Sequence, residues 1–372
     1  MTDKINILFV IGTRPEAIKM APVIRACRQQ QRFEVKVCLT GQHKEMLAQV
    51  VDFFDIPFDF SLSLMKPNQS LFDVTADGLK MLEGVLKDYT PDWILVQGDT
   101  TTAFIGALAA FYKKIKVGHI EAGLRSGQLY SPFPEEANRK MISAICHTHF
   151  APTLKAQQNL ENEGITEQVY LVGNTVIDAL LWAVDRVKDD EKIKLDFQYL
   201  NLEQKIILIT GHRRESFGKP FEDICDAIAT LAGRYPDVQF VYPVHLNPNI
   251  REVVFARLKG YSNIFLVEPL DYPHLVWLLH RSYIVITDSG GIQEEAPSLG
   301  KPVLVLREVT ERTEGIDAGS AILVGTSKEK IIGETELLLN DTAVYNRMAG
   351  IANPYGDGNS AQKITALLLN YK

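Results

Sequence analysis

Three acids stand where proton transfer could use them. Asp99 follows the apolar run Trp93–Gln97, and Glu121 follows Lys116–Ile120, so each closes a short strand. The two strands are expected to be neighbours, which puts both carboxyl groups in one crevice. Glu135 lies in Ser131-Pro132-Phe133-Pro134-Glu135-Glu136, a proline-stiffened loop that leads into a helix. Carboxyl groups with separated pKa values can act as acid and base, and a carboxylate can stabilise a sugar cation.

Basic and glycine-rich turns supply the complementary half. Gly12-Thr13-Arg14-Pro15-Glu16 joins a strand to a helix, with Pro15 suited to the first helical position. Its N–H groups, the Arg14 charge and Lys19 one turn later suit an anion. There is one glycine here and no G-x-G-x-x-G, so a nicotinamide dinucleotide is not supported. Asp288-Ser289-Gly290-Gly291 is the stronger phosphate signal, because backbone N–H groups can approach a phosphate there unobstructed. Either Glu294 or Glu295 could accept hydrogen bonds from a ribose. His212 with Arg213 and Arg214 suits a leaving pyrophosphate, whose growing charge imidazole and guanidinium both stabilise. His147-Thr148-His149 begins a strand, which points the two rings to opposite faces, so no metal site is expected.

The elements that must hold these residues follow an alternating pattern. Ile5–Ile11, Val35–Thr40, Trp93–Gln97, Lys116–Ile120, Thr148–Ala151 and Val169–Val172 read as strands. Ala17–Gln30, Leu71–Lys87, Thr101–Tyr112 and Glu136–Ala144 read as helices between them. Thr175–Lys194 reads as one longer helix with a charged end. The alternation then restarts with strands Lys205–Thr210, Gln239–Val244, Asn263–Val267, Tyr283–Thr287, Pro302–Leu306 and Ala321–Leu323. Phe221–Arg234, Pro248–Leu258, Tyr272–Arg281 and Ile292–Leu299 are the helices of this half. Continuous apolar strands separated by helices imply buried parallel sheets. The fold class is therefore α/β, with two Rossmann-like, doubly wound parallel-sheet domains. The boundary is placed at Gly173, giving domains 1–172 and 173–355, with an amphipathic helix in 356–372. Polar residues end nearly every strand in both halves, so the site is expected in a cleft between the two domains.

Bulk composition narrows the class. With 372 residues, two domains are the better expectation. The formal charge of −7 argues against a nucleic-acid surface. No stretch approaches the ~18 uncharged apolar residues of a membrane span, and no signal peptide is expected. Cys27, Cys38, Cys146 and Cys225 show no paired spacing, which suggests reduced thiols and a cytoplasmic protein.

On these motifs the chain resembles the non-hydrolysing UDP-N-acetylglucosamine (UDP-GlcNAc) 2-epimerases of bacteria. The segments that carry the resemblance are Gly12–Pro22, Gly98–Thr102, Gly118–Arg125, Pro134–Arg139, Gly211–Glu215 and Asp288–Ala296, so it runs along essentially the whole chain. It implies a fold like that of the GT-B glycosyltransferases, with the last helix returning to the first domain, and a homodimer. It also implies reversible C2 epimerisation to UDP-N-acetylmannosamine (UDP-ManNAc) without cofactor or metal, feeding surface polysaccharide synthesis. A hydrolysing relative or a glycosyltransferase is the alternative. By resemblance, Asp99, Glu121, Glu135 and His212 are catalytic. Arg14, Lys19, Ser289, Gly290, Gly291 and Arg312 would hold UDP, with Glu295 on the ribose and Leu270 and Leu275 near the uracil. Gln42, His43, Glu136, Arg213 and His245 match parts of a site where some relatives bind a second UDP-GlcNAc as activator. The chain departs from its relatives at Thr313, which replaces a proline after Arg312, and at Leu270 and Met46, where some relatives carry polar residues.

Overall fold

The structure is a computed structural model. It describes residues 4–41, 44–65, 69–211, 213 and 217–371, apart from the side chains of residues 44–46. The chain divides into two compact units, Met1–Ala179 with Tyr355–Lys372, and Leu180–Pro354.

In the first unit the described strands are β1 (Ile5–Ile11), β2 (Phe33–Leu39), β3 (Phe60–Ser61), β4 (Trp93–Gln97), β5 (Lys116–Ile120), β6 (Thr148–Ala151) and β7 (Val169–Leu171). They form one sheet in the order β3-β2-β1-β4-β5-β6-β7, and every pairing is parallel. The helices that follow the strands are α1 (Arg14–Arg28), α2 (Lys44–Phe53), α3 (Leu71–Asp88), α4 (Thr101–Tyr112), α5 (Glu135–Ile145) and α6 (Leu154–Asn162). Helix α7 (Thr175–Val187) carries the chain across the division. The second unit runs α8 (Glu191–Asp196), β8 (Lys205–Thr210), α9 (Lys219–Arg234), β9 (Val238–Pro243), α10 (Pro248–Leu258), β10 (Ile264–Val267), α11 (Tyr272–Arg281), β11 (Ile284–Thr287), α12 (Gly290–Glu295), β12 (Val303–Val305), α13 (Thr313–Ala318), β13 (Ala321–Leu323), α14 (Lys328–Asn340) and α15 (Thr342–Ala349). Its sheet has the order β10-β9-β8-β11-β12-β13, again all parallel. The last helix, α16 (Ser360–Asn370), belongs to the first unit.

Apolar runs buried on both faces explain the strands. Ile7 to Ile11 and Ile206 to Ile209 are at most 1% exposed, as expected where helices cover both sides of a parallel sheet. In both sheets the order reverses beside the first strand, at β1/β4 and at β8/β11, where open α/β sheets place their ligands.

Three readings change. Thr175–Lys194 is two helices, because Asp190 accepts from the Lys192 N–H at 2.9 Å and the Ile193 N–H at 3.1 Å and so starts α8 afresh. The division between units falls inside α7 and not at Gly173. Asn174 N–H donates to Tyr355 O at 2.7 Å, and Ala361 N–H to the Asp178 carboxylate at 2.8 Å, which ties this stretch to the returning chain end. Helix α16 then packs on α1, with Cys27 Sγ 3.6 Å from Thr365 Oγ1. Thirdly, α2, β3, α6, α13, α14 and α15 are elements that periodicity alone did not single out.

Candidate active site

The acids of the first unit gather at adjacent strand ends. Gln97 of β4 pairs with Ile120 of β5, so Asp99 and Glu121 leave the sheet side by side. Glu121 is 8% exposed and has φ of 65°, a left-handed conformation that costs a non-glycine residue roughly 1–2 kcal/mol. Its carboxylate takes a hydrogen bond from Lys19 Nζ at 2.6 Å and another from the Gln97 amide. Asp99 Oδ2 receives Arg139 Nε at 2.9 Å and lies 2.6 Å from Arg139 Nη2. Asn138 Nδ2 donates to the Asp99 carbonyl at 2.8 Å.

Helix α5 brings in the rest. Glu135 is its first residue, not part of the preceding loop, and its Oε2 is buried with no hydrogen-bond partner among the described residues. The fully buried Glu136 accepts from the Ser126 N–H and from Arg139 Nη1, both at 3.0 Å. Arg139 therefore bridges Asp99 and Glu136. Burial lowers its pKa, but the two carboxylates outweigh that and raise it, which keeps it a fixed cation. Sequence reasoning gave Arg139 no role, although it closes one of the quoted motifs.

At the turn after β1, where the sequence suits an anion, Glu16 Oε2 accepts from Gly12 N–H at 2.7 Å and Thr13 N–H at 2.6 Å. The Thr100 hydroxyl donates to Glu16 Oε1, and Thr13 Oγ1 returns a bond to Glu16 N–H. This is a capping box, so the helix uses its own carboxylate where a ligand anion was expected. Burial raises the pKa of Glu16 against the opposing pull of those hydrogen bonds. Arg14 stays half-buried at the turn, and Lys19 is committed to Glu121.

The second unit is arranged differently. Ser289 precedes α12 without a side-chain capping bond, and a side chain at the exposed Gly291 would meet nothing within 4 Å. A Cβ at Gly290 would stand 3.2 Å from the Arg312 guanidinium, so that cation lies over the start of α12. Arg312 Nε donates to Glu294 Oε1 at 3.0 Å, and the neighbouring Glu295 is 8% exposed. The loop carrying Arg312 is pinned despite Thr313: Thr310 Oγ1 accepts from Arg312 N–H at 3.1 Å and donates to Gln293 Oε1 at 2.8 Å. Arg213 N–H donates to Asp288 Oδ2 at 2.8 Å, and its Nε to Asp288 O at 3.0 Å. Leu270 and Leu275 are partly exposed around the start of α11. His245 is exposed and accepts from Asn247 N–H at 3.1 Å. Gln42, His43 and His212 lie outside the described residues.

Two parallel sheets with acids at one set of strand ends and an uncapped glycine turn at the other narrow the choice of family, and comparison decides it. A model of the family "UDP-N-acetylglucosamine 2-epimerase" matches residues 25–369. The UDP-N-acetylglucosamine 2-epimerase of Yersinia pestis is 51% identical over 372 residues, with 99% of each chain covered. The chain belongs to the UDP-N-acetylglucosamine 2-epimerase family. Among solved structures, the UDP-GlcNAc 2-epimerase of Neisseria meningitidis bound to UDP-GlcNAc is 48% identical, with a TM-score of 0.89 over 99% of this chain and 100% of that one. The Methanocaldococcus jannaschii enzyme in complex with UDP-GlcNAc and UDP is 33% identical, with a TM-score of 0.80 over the same shares. The family resemblance and the α/β, two-sheet fold are thus borne out. Among the described residues no helix is long and apolar enough to cross a membrane.

Proposed function

We propose that this chain interconverts UDP-GlcNAc and UDP-ManNAc by elimination and re-addition of UDP. The observation that carries the reading is the pairing of Asp99 and Glu121 at adjacent strand ends, each held by a cation, in a chain of this family. The C2 proton of the sugar has no neighbouring ketone to acidify it. Elimination avoids that difficulty. The C1–O bond breaks with its electron pair leaving on UDP, a carboxylate removes the C2 proton, and a 2-acetamidoglucal results. UDP then adds back at C1 while a proton is delivered to the opposite face of C2.

In this reading Asp99, Glu121 and Glu135 of the first unit are the acid–base and cation-stabilising groups. Lys19 and Arg139 orient the first two. Ser289, Gly290, Gly291 and Arg312 of the second unit hold the diphosphate, Glu295 the ribose, and the backbone near Leu270 and Leu275 the uracil. Arg14 adds positive charge, and His212 assists the leaving diphosphate. The relatives solved with UDP-GlcNAc and with UDP support these ligands.

The wider role follows the family: a homodimer, without cofactor or metal, whose product supplies ManNAc units for surface polysaccharide. Four unpaired cysteines support a cytoplasmic setting. An activating second UDP-GlcNAc would be held by Gln42, His43, Glu136, Arg213 and His245; Glu136 Oε1 has no hydrogen-bond partner among the described residues.

The test is incubation with UDP-GlcNAc in deuterated water. UDP-ManNAc carrying deuterium at C2 is expected. Free ManNAc and UDP as the main products would replace the proposal with hydrolysis.

A further inference from the structure

We propose that His119 is a positioning residue: its Nε2–H, donated to the Gly98 carbonyl, fixes the turn that sets Asp99 beside Glu121. This rests on the reading of those two acids given above.

The need for such a donor comes from the sheet. In a parallel ladder, Gly98 would donate to Ile120 O and accept from Ala122 N–H. The first bond is made, at 3.0 Å. The second is not, because the chain turns at Glu121, with φ of 65°, and Ala122 N–H goes instead to Phe150 O at 3.1 Å. That turn aims the Glu121 side chain at Lys19 and Gln97, and it takes the backbone donor away from Gly98 O. His119 replaces it. It lies opposite Val96 in the β4–β5 register, and its Nε2 is 2.7 Å from Gly98 O. A carbonyl only accepts, so Nε2 carries the hydrogen.

The environment keeps this donor neutral. His119 is fully buried, and burial pulls its pKa down to about 3. The bond to Gly98 opposes that shift, while His149, Arg125 and Arg139 reinforce it. The ring therefore adds no charge beside Asp99 at neutral pH. Asn138 on the Asp99 carbonyl and Arg139 on its carboxylate complete the hold on this turn.

The same device recurs in the second unit. Tyr242 of β9, fully buried, donates its hydroxyl to Gly211 O at 2.7 Å. Gly211 directly precedes His212, as Gly98 directly precedes Asp99. Burial raises the Tyr242 pKa, so it too remains a donor. In each unit, a buried side chain on the neighbouring strand holds the glycine carbonyl just ahead of a proposed catalytic residue.

Three substitutions test this in the full chain: His119→Gln, whose amide reaches as far as Nε2; His119→Asn, whose amide falls short; and His119→Phe, which fills the space without a donor. We expect kcat for epimerisation to fall about 10- to 100-fold in the Asn and Phe variants, as a small misplacement of a reacting group does. UDP affinity should stay at the parent value, and His119→Gln should recover most of the turnover with the parent pH profile. If His119→Phe does not fold, His119→Asn gives the same comparison. Parent kcat in folded His119→Asn or His119→Phe overturns the proposal. So does a His119→Gln variant that folds but has lost a limb of the pH profile, since that would make His119 an acid or base itself. Asp99→Asn run alongside separates the two levels. If it retains turnover, the reading of Asp99 fails; if it loses turnover while His119→Phe does not, only the positioning role fails.

Discussion

The two units share a sheet architecture and differ at the helix that starts where the strand order reverses. In the first unit, Thr100 caps α4 through the Ala103 N–H at 3.1 Å, and Glu16 caps α1 from within. In the second, the corresponding helix α12 follows β11 with an uncapped Ser289 and an open Gly291. At these positions the first unit spends helix N–H groups on its own side chains. The second has no side-chain cap at Ser289 and sets Arg312 over the start of α12, which the proposed function assigns to an anion. Two switch points of the same topology thus differ in a few side chains, which decide whether the helix start is closed by the protein's own groups.

The largest expected effect breaks the acidic half. Asp99→Asn, Glu121→Gln and Glu135→Gln should each lose about 10²- to 10⁴-fold in epimerisation rate, as measured by product NMR. Their circular dichroism should match the parent, and their UDP affinity should change little. Near-parent rates in any one would remove that residue from the chemistry.

The next breaks the anion half. Gly291→Asp places a negative charge at the open helix start, where the side chain meets no steric obstacle. UDP affinity measured by calorimetry should fall on the order of tenfold or more, about 1.4 kcal/mol, with the melting temperature retained. Unchanged UDP binding would place the diphosphate elsewhere.

A smaller, paired effect sharpens the contrast. Thr100→Ala removes a cap and a bond to Glu16, and should cost about 1 kcal/mol in denaturant unfolding. Ser289→Ala removes no capping bond, and should leave stability alone while weakening UDP. Equal stability losses in both would contradict the assigned division of labour.

The smallest effect is a pH gradient. Glu16 has a folded-state pKa raised above its ordinary 4.5. A carboxyl group raised in this way contributes stability that is complete below 4.5 and is lost as pH rises through the folded value. The parent should therefore lose stability relative to Glu16→Gln as pH rises above 4.5. A gap between the two that widens in the parent's favour with rising pH would show that the carboxylate is stabilised by its N–H donors more than it is penalised by burial.

Much of the site was legible because parallel sheets place ligands at strand ends, and strand ends can be read locally. Trp93–Gln97 and Lys116–Ile120 were located to the residue, and with them Asp99 and Glu121. The two prolines before Glu135 read as a loop, although Pro134 is the N-cap and Glu135 the first residue of α5. Arg139 escaped notice because its meaning depends on Asp99, forty residues earlier in the chain. The turn at Gly12–Pro15 is ambiguous in sequence, because a helix start with an acid three residues inside it fits both an anion site and a capping box, and only the structure shows the box.

Sequence alone determined the alternation of strands and helices, the residues at the strand ends and the motifs that mark the family. These are properties of short segments: apolar runs, turn residues and fixed spacings. Tertiary structure decided which groups meet. It set Arg139 between Asp99 and Glu136, turned Glu16 inward, returned α16 to α1 and brought the His119 ring to the Gly98 carbonyl. Such contacts depend on strand register and on where a ladder ends, and neither is encoded in any one segment.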